Sequence, residues 1–336
     1  MFNIFNFFTK PNTDDITIDD IKEAQNNIKK YCYRTPLIEV DDNVGTKFYV
    51  KCENLQRGGA FKIRGAINMI EKLSLQEKEA GVVTFSSGNH GLALSLASSL
   101  LDIKTCVVCM PTNAPVIKKE YVLKYGGEVI QVGTTTLERK LRAESEMKER
   151  SLTMVPPFDH KYIMCGQGTI GLEIVEECPL DKKLVVYVPC SGGGLIGGIS
   201  YAIKSIRKDA VIIGVEPITA PKMTTSLHAG KPTTLSSVSG IADGLLSVRP
   251  GDITFKYVQQ YVDSIQTVTD TEIAFAVKWL FDNSKLVSEP SGSASVACAL
   301  KHKHDDDTIV VAIISGGNVT AEDFAKYINL KEGDTI

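Results

Sequence analysis

The sequence predicts an α/β protein built on largely parallel sheet, and three observations predict it. Short apolar runs alternate with helix-period segments along the whole chain, the pattern of strand–helix–strand units. Three of those runs lead through small residues into a polar or Gly-rich turn and then a helix: VVTFSSGNHG (82–91), VVYVPCSGGGLIGG (185–198) and VVAIISGGNVT (310–320). The 336 residues are 43% hydrophobic and 23% charged, enough for two domains or one large lobed one.

In chain order, the apolar runs place strands at 47–52, 82–86, 104–110, 128–132, 184–189, 211–215 and 308–314. Helical periodicity covers 18–30, 62–73, 90–100, 115–125, 136–150, 168–177, 195–206, 270–284 and 291–301. Two stretches resist assignment, 151–166 and the Thr-, Ser-, Gly- and Pro-rich 217–250; such irregular segments commonly line sites or join lobes. Repeats, low-complexity tracts and long linkers are absent from the sequence.

The formal charge is −3, from 37 basic and 40 acidic residues, with no basic patch interleaved with aromatics, so a nucleic-acid partner is not expected. The opening MFNIFNFF is apolar, but too short to span a membrane and without the flanks of a signal peptide. Eight scattered cysteines in mostly apolar runs read as reduced thiols of a cytoplasmic protein. Cys106 and Cys109 form a CxxC, but on a strand residues three apart face opposite sides, which argues against metal or redox chemistry.

Candidate chemistry sits at the junctions, since open α/β sheets bind ligands at the carboxyl ends of their strands. Ser191, Gly192, Gly193, Gly194 and Leu195 follow a strand and open a helix, where backbone N–H groups can close round a phosphate. Gly192, Gly194 and Gly197 also satisfy G-x-G-x-x-G, with Glu216 at the spacing of a ribose-binding acid, so a dinucleotide site competes; a plain tight turn is the third reading. Ser86, Ser87, Gly88, Asn89 and His90 crowd a turn that can offer N–H donors to a carboxylate, or simply cap a helix. Lys62, between Phe61 and Ile63 at a helix start, is either a desolvated nucleophile or one of many lysines at such a position.

Taken together, GAFKIRGA (59–66), SSGNH (86–90), GQGT (166–169), SGGGL (191–195) and SGGN (315–318) stand in the same order as in one family. The chain resembles the threonine/serine dehydratase and serine racemase family, the fold-type II, tryptophan synthase β-like enzymes that use pyridoxal 5'-phosphate, from about Ile21 to Ala325. Five ordered motifs outweigh a lone G-x-G-x-x-G. The resemblance implies a two-lobed α/β fold of open, mostly parallel twisted sheets with helices on both faces. The large lobe would comprise about 1–75 and 157–336, the small one about 76–156, with the cofactor between them.

The resemblance further implies that Lys62 holds the cofactor as a Schiff base and exchanges the Cα proton. Phe61 would pack near the ring, Asn89 meet the pyridoxal hydroxyl, residues 86–90 take the substrate carboxylate, 191–195 the phosphate, and Ser315 the ring nitrogen. A neutral hydroxyl at that nitrogen makes the ring a weaker electron sink than a carboxylate would, which suits elimination.

Ala60 departs from the serine common before Phe61. Where metal-dependent members place a second acid near Glu216 and Ala220, this chain has Lys222, whose ammonium can pair with Glu216, so no metal is expected. His302 and His304 read as a solvated helix end. Ser87 matches the second-face base of members that racemise, whereas Pro157-Phe158-Asp159 and Ile241–Leu245 with Arg249-Pro250-Gly251 resemble short dehydratases.

The expectation is thus a catabolic-type L-threonine/L-serine ammonia-lyase without an ACT-type regulatory domain, forming a homodimer or homotetramer and acting on a small amino acid. Serine racemase, a hydroxyaspartate dehydratase, or an amino-acid sensor without turnover are the alternatives.

Overall fold

The structure, a computed structural model, describes residues 15–41, 45–86, 88–114, 116–303, 305 and 307–331. Within them the strands are β1 (Leu37–Asp41), β2 (Lys47–Cys52), β3 (Val82–Phe85), β4 (Cys106–Met110) and β5 (Glu128–Gln131). They continue as β6 (Thr153–Met154), β7 (Lys183–Pro189), β8 (Val211–Pro217), β9 (Ser264–Val268) and β10 (Thr308–Ile314). The helices of the first half are α1 (Ile18–Ile28), α2 (Lys62–Glu71), α3 (Leu75–Ala80), α4 (Asn89–Leu100), α5 (Val116–Lys124) and α6 (Thr136–Glu149). Then come α7 (Lys161–Glu177), α8 (Gly194–Ile206), α9 (Lys222–Ala229), α10 (Asp252–Tyr261), α11 (Asp270–Ser284), α12 (Pro290–Ala299) and α13 (Ala321–Ile328).

Two sheets result, with strand orders β1-β2-β10-β7-β8-β9 and β5-β4-β3-β6. Every pairing is parallel except β1 with β2. Parallel strands need crossovers, and helices supply them on both faces. The two-residue period of β10 shows this directly: Val310, Ala312 and Ile314 enter one core with α11 and α12, while Val311 and Ile313 enter the other with α7, α8 and α10. Each fully buried aliphatic side chain of this kind contributes about 1.5–3 kcal/mol.

The smaller sheet divides likewise. Cys106 packs with α2 and α4, and Cys109 with Ala143 of α6 on the opposite face, so the CxxC sulfurs diverge as the strand period predicts. All eight cysteines are free.

The structure adds elements that periodicity missed. α7 begins at Lys161 instead of 168, because Gly166, Gly168 and Gly171 weaken the helical signal. Those glycines are demanded by packing: a Cβ on Gly166 would lie 2.6 Å from the Arg64 carbonyl oxygen, where α7 crosses α2. β1 and β9 are edge strands, too short and half-polar to announce themselves, and β6 has two residues. Within 217–250 lie α9 and a 3₁₀ turn at Asp243–Leu245. No helix among the described residues is long and apolar enough to cross a membrane.

Candidate active site

Lys62 is the first residue of α2, and its approach is fixed by the strand that ends beside it. Phe61 N–H donates to the Ser315 carbonyl at 3.1 Å, Gly317 N–H to the Gly59 carbonyl at 2.8 Å, and Ala60 bridges to Gly316. The lysine motif and the turn after β10 are therefore one unit. Lys62 Nζ donates to the Pro157 carbonyl at 2.7 Å and lies 5.0 Å from the Phe61 ring centroid. Lys62 as a residue is only half-buried, but its amine is enclosed by protein, and that burial lowers its pKa to about 8. A substantial neutral fraction near physiological pH makes this amine a competent nucleophile and base. Ser315 is buried, with Oγ 3.5 Å from the Ser291 carbonyl.

The segment that holds Lys62 also shapes the glycine loop. Next to Pro157, the Phe158 ring lies where a Cβ on Gly192 would sit, at 2.5 Å, so no larger residue fits there. Gly193 is the N-cap of α8 with φ 97°, left-handed backbone that favours glycine, and no side chain caps the helix. The Gly192 carbonyl is held by Gly251 N–H (3.0 Å) and Thr254 Oγ1 (2.6 Å). Asp159 accepts from the N–H groups of Asp252, Ile253 and Thr254, capping α10. Ser191 is half-buried, while Gly194 and Leu195 are buried in the first turn of α8. The uncapped N–H groups and the helix dipole make this an anion cradle.

The third turn opens α4. Gly88 N–H donates to Ser86 Oγ at 3.1 Å, and no side chain caps the helix. Ser87 lies outside the described residues. His90 is buried, with Nε2 3.0 Å from the Val155 carbonyl, so that nitrogen carries the proton. Burial and the nearby Lys62 charge push its pKa down to about 3, so the ring is neutral and tethered. Asn89 is clamped at both ends. Its Nδ2 donates to Glu289 Oε1 at 2.5 Å, and its Oδ1 accepts from Asn318 Nδ2 at 3.0 Å. Asn318 is the last residue of the SGGN motif, so this turn too is joined to the end of β10.

Other sequence candidates have structural duties. Glu216 accepts N–H bonds from Met223 (3.0 Å) and Thr224 (2.9 Å), which leaves it bound to α9 instead of a ribose. Lys222 Nζ stands 3.6 Å from Glu216 Oε2 and donates to the carbonyls of Ala220 (3.0 Å) and Leu245 (2.7 Å). Both residues are fully buried; burial lowers the Lys222 pKa, and the Glu216 charge works against that shift. Among the described residues no three or more His, Cys, Asp or Glu side chains are grouped so that they could hold a metal ion. His302 stacks on Tyr187, and His304 lies outside the described residues.

Sequence reading passed over Glu289 and Lys118, and took Asp243 only as part of the Ile241–Leu245 segment. Glu289 is buried, its Oε2 has no hydrogen-bond partner among the described residues, and burial with the Asp243 charge raises its pKa to about 7 against the pull of Lys118 and Asn89. Lys118 of α5 pairs with Asp243. The one local signal was an acid before Pro290 at a helix start.

A phosphate-bearing aromatic aldehyde fits this set of groups: an uncapped glycine cradle with left-handed Gly193, an enclosed amine, and two buried polar atoms, His90 Nδ1 and Glu289 Oε2, without partners among the described residues.

Comparison with known proteins agrees. The family described as pyridoxal-phosphate dependent enzyme matches residues 28–316. The chain is 39% identical over 317 residues to an L-threonine ammonia-lyase of Thermotoga maritima, covering 94% of this chain and 78% of that one. It is 36% identical over 325 residues to an L-threo-3-hydroxyaspartate ammonia-lyase of Saccharomyces cerevisiae, covering 95% and 99%. The solved structure of maize serine racemase superposes with a TM-score of 0.86 at 38% identity, covering 92% of this chain and 95% of that one.

Proposed function

The chain belongs to the pyridoxal-phosphate-dependent enzymes, and from that premise we propose that it eliminates water from L-threonine and L-serine, releasing a 2-oxo acid and ammonia. The observation that carries the reading is the pairing of an enclosed, neutral-prone Lys62 amine with Ser315, a hydroxyl instead of a carboxylate, in the turn hydrogen-bonded to Phe61.

When bound, pyridoxal phosphate supplies a carbonyl for covalent capture of an amine and a ring that draws electrons from the substrate Cα. Ser191, Gly192, Gly193, Gly194 and Leu195 would hold its phosphate. Phe61 would cover its ring, Asn89 would meet its ring hydroxyl, and Ser315 its ring nitrogen. Two lobes, 76–156 and the remainder, enclose the reaction and exclude water. The substrate carboxylate lies on the turn of Ser86, Ser87, Gly88, Asn89 and His90. His90 contributes its backbone N–H there, since its ring is tied to Val155.

Lys62 Nζ would hold the cofactor at rest, and the same amine, once released by the incoming substrate amine, would be the base that takes the proton from the substrate Cα. The Cβ–O bond breaks, a proton joins the departing hydroxyl to form water, and the unsaturated amine left behind hydrolyses to 2-oxo acid and ammonia. Ser315, being neutral, gives the ring less electron demand than a carboxylate would, which favours prompt loss of the β-substituent over transamination.

Borohydride reduction of the yellow holoenzyme should fix the cofactor on the peptide containing Lys62, and L-threonine should yield 2-oxobutanoate with ammonia. Label on a different lysine, or no keto acid from L-threonine or L-serine, would overturn the reading. Serine racemisation is the second reading, favoured by the similarity to serine racemases and by Ser87 in the sequence. It requires a second acid/base on the face of Cα opposite Lys62. Chiral chromatography of serine alongside pyruvate release separates the two.

A further inference from the structure

We propose that Glu289 is a positioning residue of the cofactor site: by accepting one Asn89 N–H it fixes which way round the Asn89 carboxamide stands, leaving the second N–H for the cofactor's ring oxygen. The inference rests on the reading above that Asn89 meets that oxygen.

The two ends of a carboxamide have nearly the same shape and opposite hydrogen-bonding character. Here both ends are engaged. Glu289 Oε1 accepts from Asn89 Nδ2 at 2.5 Å, and Asn318 Nδ2 donates to Asn89 Oδ1 at 3.0 Å and to the Gly58 carbonyl at 2.8 Å. A flipped Asn89 would set oxygen against the Glu289 carboxylate and N–H against the Asn318 N–H, so both contacts would turn repulsive. The ring oxygen would then meet a carbonyl in place of a donor.

Glu289 has no competing duty that explains its burial. It is the N-cap residue of α12, yet its side chain makes no capping bond. Its backbone is moored to the turn after β10, N–H to the Gly316 carbonyl at 3.1 Å, and a Cβ on Gly316 would lie 2.3 Å from Oε1. The carboxyl is thus wedged between the Asn89 turn and the Ser315–Gly316 turn, the two motifs assigned to the cofactor ring. Its other oxygen, Oε2, is the buried atom without a partner among the described residues.

The groups that bear on Glu289 come from four elements. Asn89 of α4 and Lys118 of α5 favour its charge; Asp243 of the 3₁₀ turn opposes it; Gly316 presents backbone. Lys118 also lines a cavity of about 570 Å³, which brings solvent near the cluster. Burial and Asp243 prevail, and the carboxyl titrates at about 7. Protonation removes half of the lock, because an O–H can donate to a flipped Asn89 Oδ1. The orientation of Asn89 therefore loosens as pH falls through that value.

The test uses purified holoenzyme of wild type, Glu289→Gln and Glu289→Asp. Its first readout is the visible absorbance of bound pyridoxal phosphate, followed over about three pH units around neutrality. Wild type should show a spectral transition near pH 7. Glu289→Gln should lose it, with kcat reduced about tenfold and KM for the amino acid nearly unchanged, and Glu289→Asp should restore a transition.

The second readout needs no activity. A carboxyl whose folded pKa is raised from 4.5 to about 7 favours folding fully below its ordinary pKa, and that contribution is lost as pH rises through 7. Thermal unfolding of the cofactor-free protein should show this fall between those values, and Glu289→Gln should flatten it. Spectra and unfolding profiles of Glu289→Gln that superimpose on wild type would overturn the proposal. Both readouts are indifferent to which amino acid is the substrate, so they fail separately from the functional reading.

Discussion

Two clusters of buried charge lie within the same fold and are finished in different ways. Around Arg64, every charge is answered. Arg64 bonds both oxygens of Glu53 (2.9 and 2.7 Å) and both of Glu173 (2.6 and 3.0 Å), while Lys51 pairs with Glu173 at 2.8 Å and donates to the Thr35 carbonyl at 2.7 Å. Burial alone would lower the Arg64 pKa, but the two carboxylates raise it above its ordinary value; burial pushes Glu173 up, and Arg64 and Lys51 more than reverse this. Neither Arg64 nor Glu173 approaches neutrality. Around the candidate site the pairing is left incomplete among the described residues: Lys62 has one carbonyl partner and sits at about 8, and Glu289 has one answered oxygen and sits at about 7. A protein that satisfies buried charge so fully in one place leaves it partly unanswered, among the described residues, at the candidate site, the kind of place where perturbed pKa values mark working groups.

The sharpest break in this contrast is Lys62→Ala. Keto-acid release should fall at least about 10³-fold, while the thermal midpoint of the cofactor-free protein stays close to wild type, since the amine holds only a loop carbonyl. Arg64→Leu should do the reverse. Stability should drop by about 3–5 kcal/mol in urea unfolding, because Glu53 and part of Glu173 are left buried and unpaired. The fraction that remains folded should still bind pyridoxal phosphate.

The two clusters also push stability in opposite pH directions. Glu173, with a lowered pKa, contributes stability that is present above its ordinary value and lost as pH falls through the folded one. Glu289 contributes stability that is lost as pH rises toward about 7. Urea midpoints of wild type against Glu289→Gln should therefore diverge on the neutral side and converge in acid.

Lys222 extends the first kind of cluster, and its expected effect is smaller. With a fixed ammonium beside Glu216, exhaustive EDTA treatment and added Mg²⁺ should each change turnover by less than about twofold. A large loss on chelation that Mg²⁺ restores would contradict that role for Lys222. The smallest expected effect on the main reaction comes from Ser87→Ala, which should suppress D-serine formation yet leave L-elimination within about twofold of wild type. Loss of L-elimination in that variant would give Ser87 a place on the main path.

What the sequence by itself determined is the part that local pattern encodes. Alternating strand and helix periods set the parallel α/β architecture. The glycine run 192–194 after an apolar strand offered an anion cradle beside the rival readings of a dinucleotide site and a plain turn, and the ordered motifs round Lys62, Asn89, Ser191 and Ser315 declared the family and its cofactor. The neighbours that tune those groups were decided by tertiary structure alone. The amine of Lys62 is aimed by the carbonyl of Pro157, 95 residues away, and a backbone carbonyl leaves no mark in sequence. The helix α10 was invisible because its cap is Asp159, 93 residues before the first N–H it accepts. Glu289 reads as an ordinary acid ahead of a proline until the fold buries it and brings it 2.5 Å from the half-buried Asn89, 200 residues distant. Motif chemistry depends on residue type at short spacing, so one chain shows it. A pKa depends on burial and on charges gathered from several elements, which exist together only once the sheets and helices have packed.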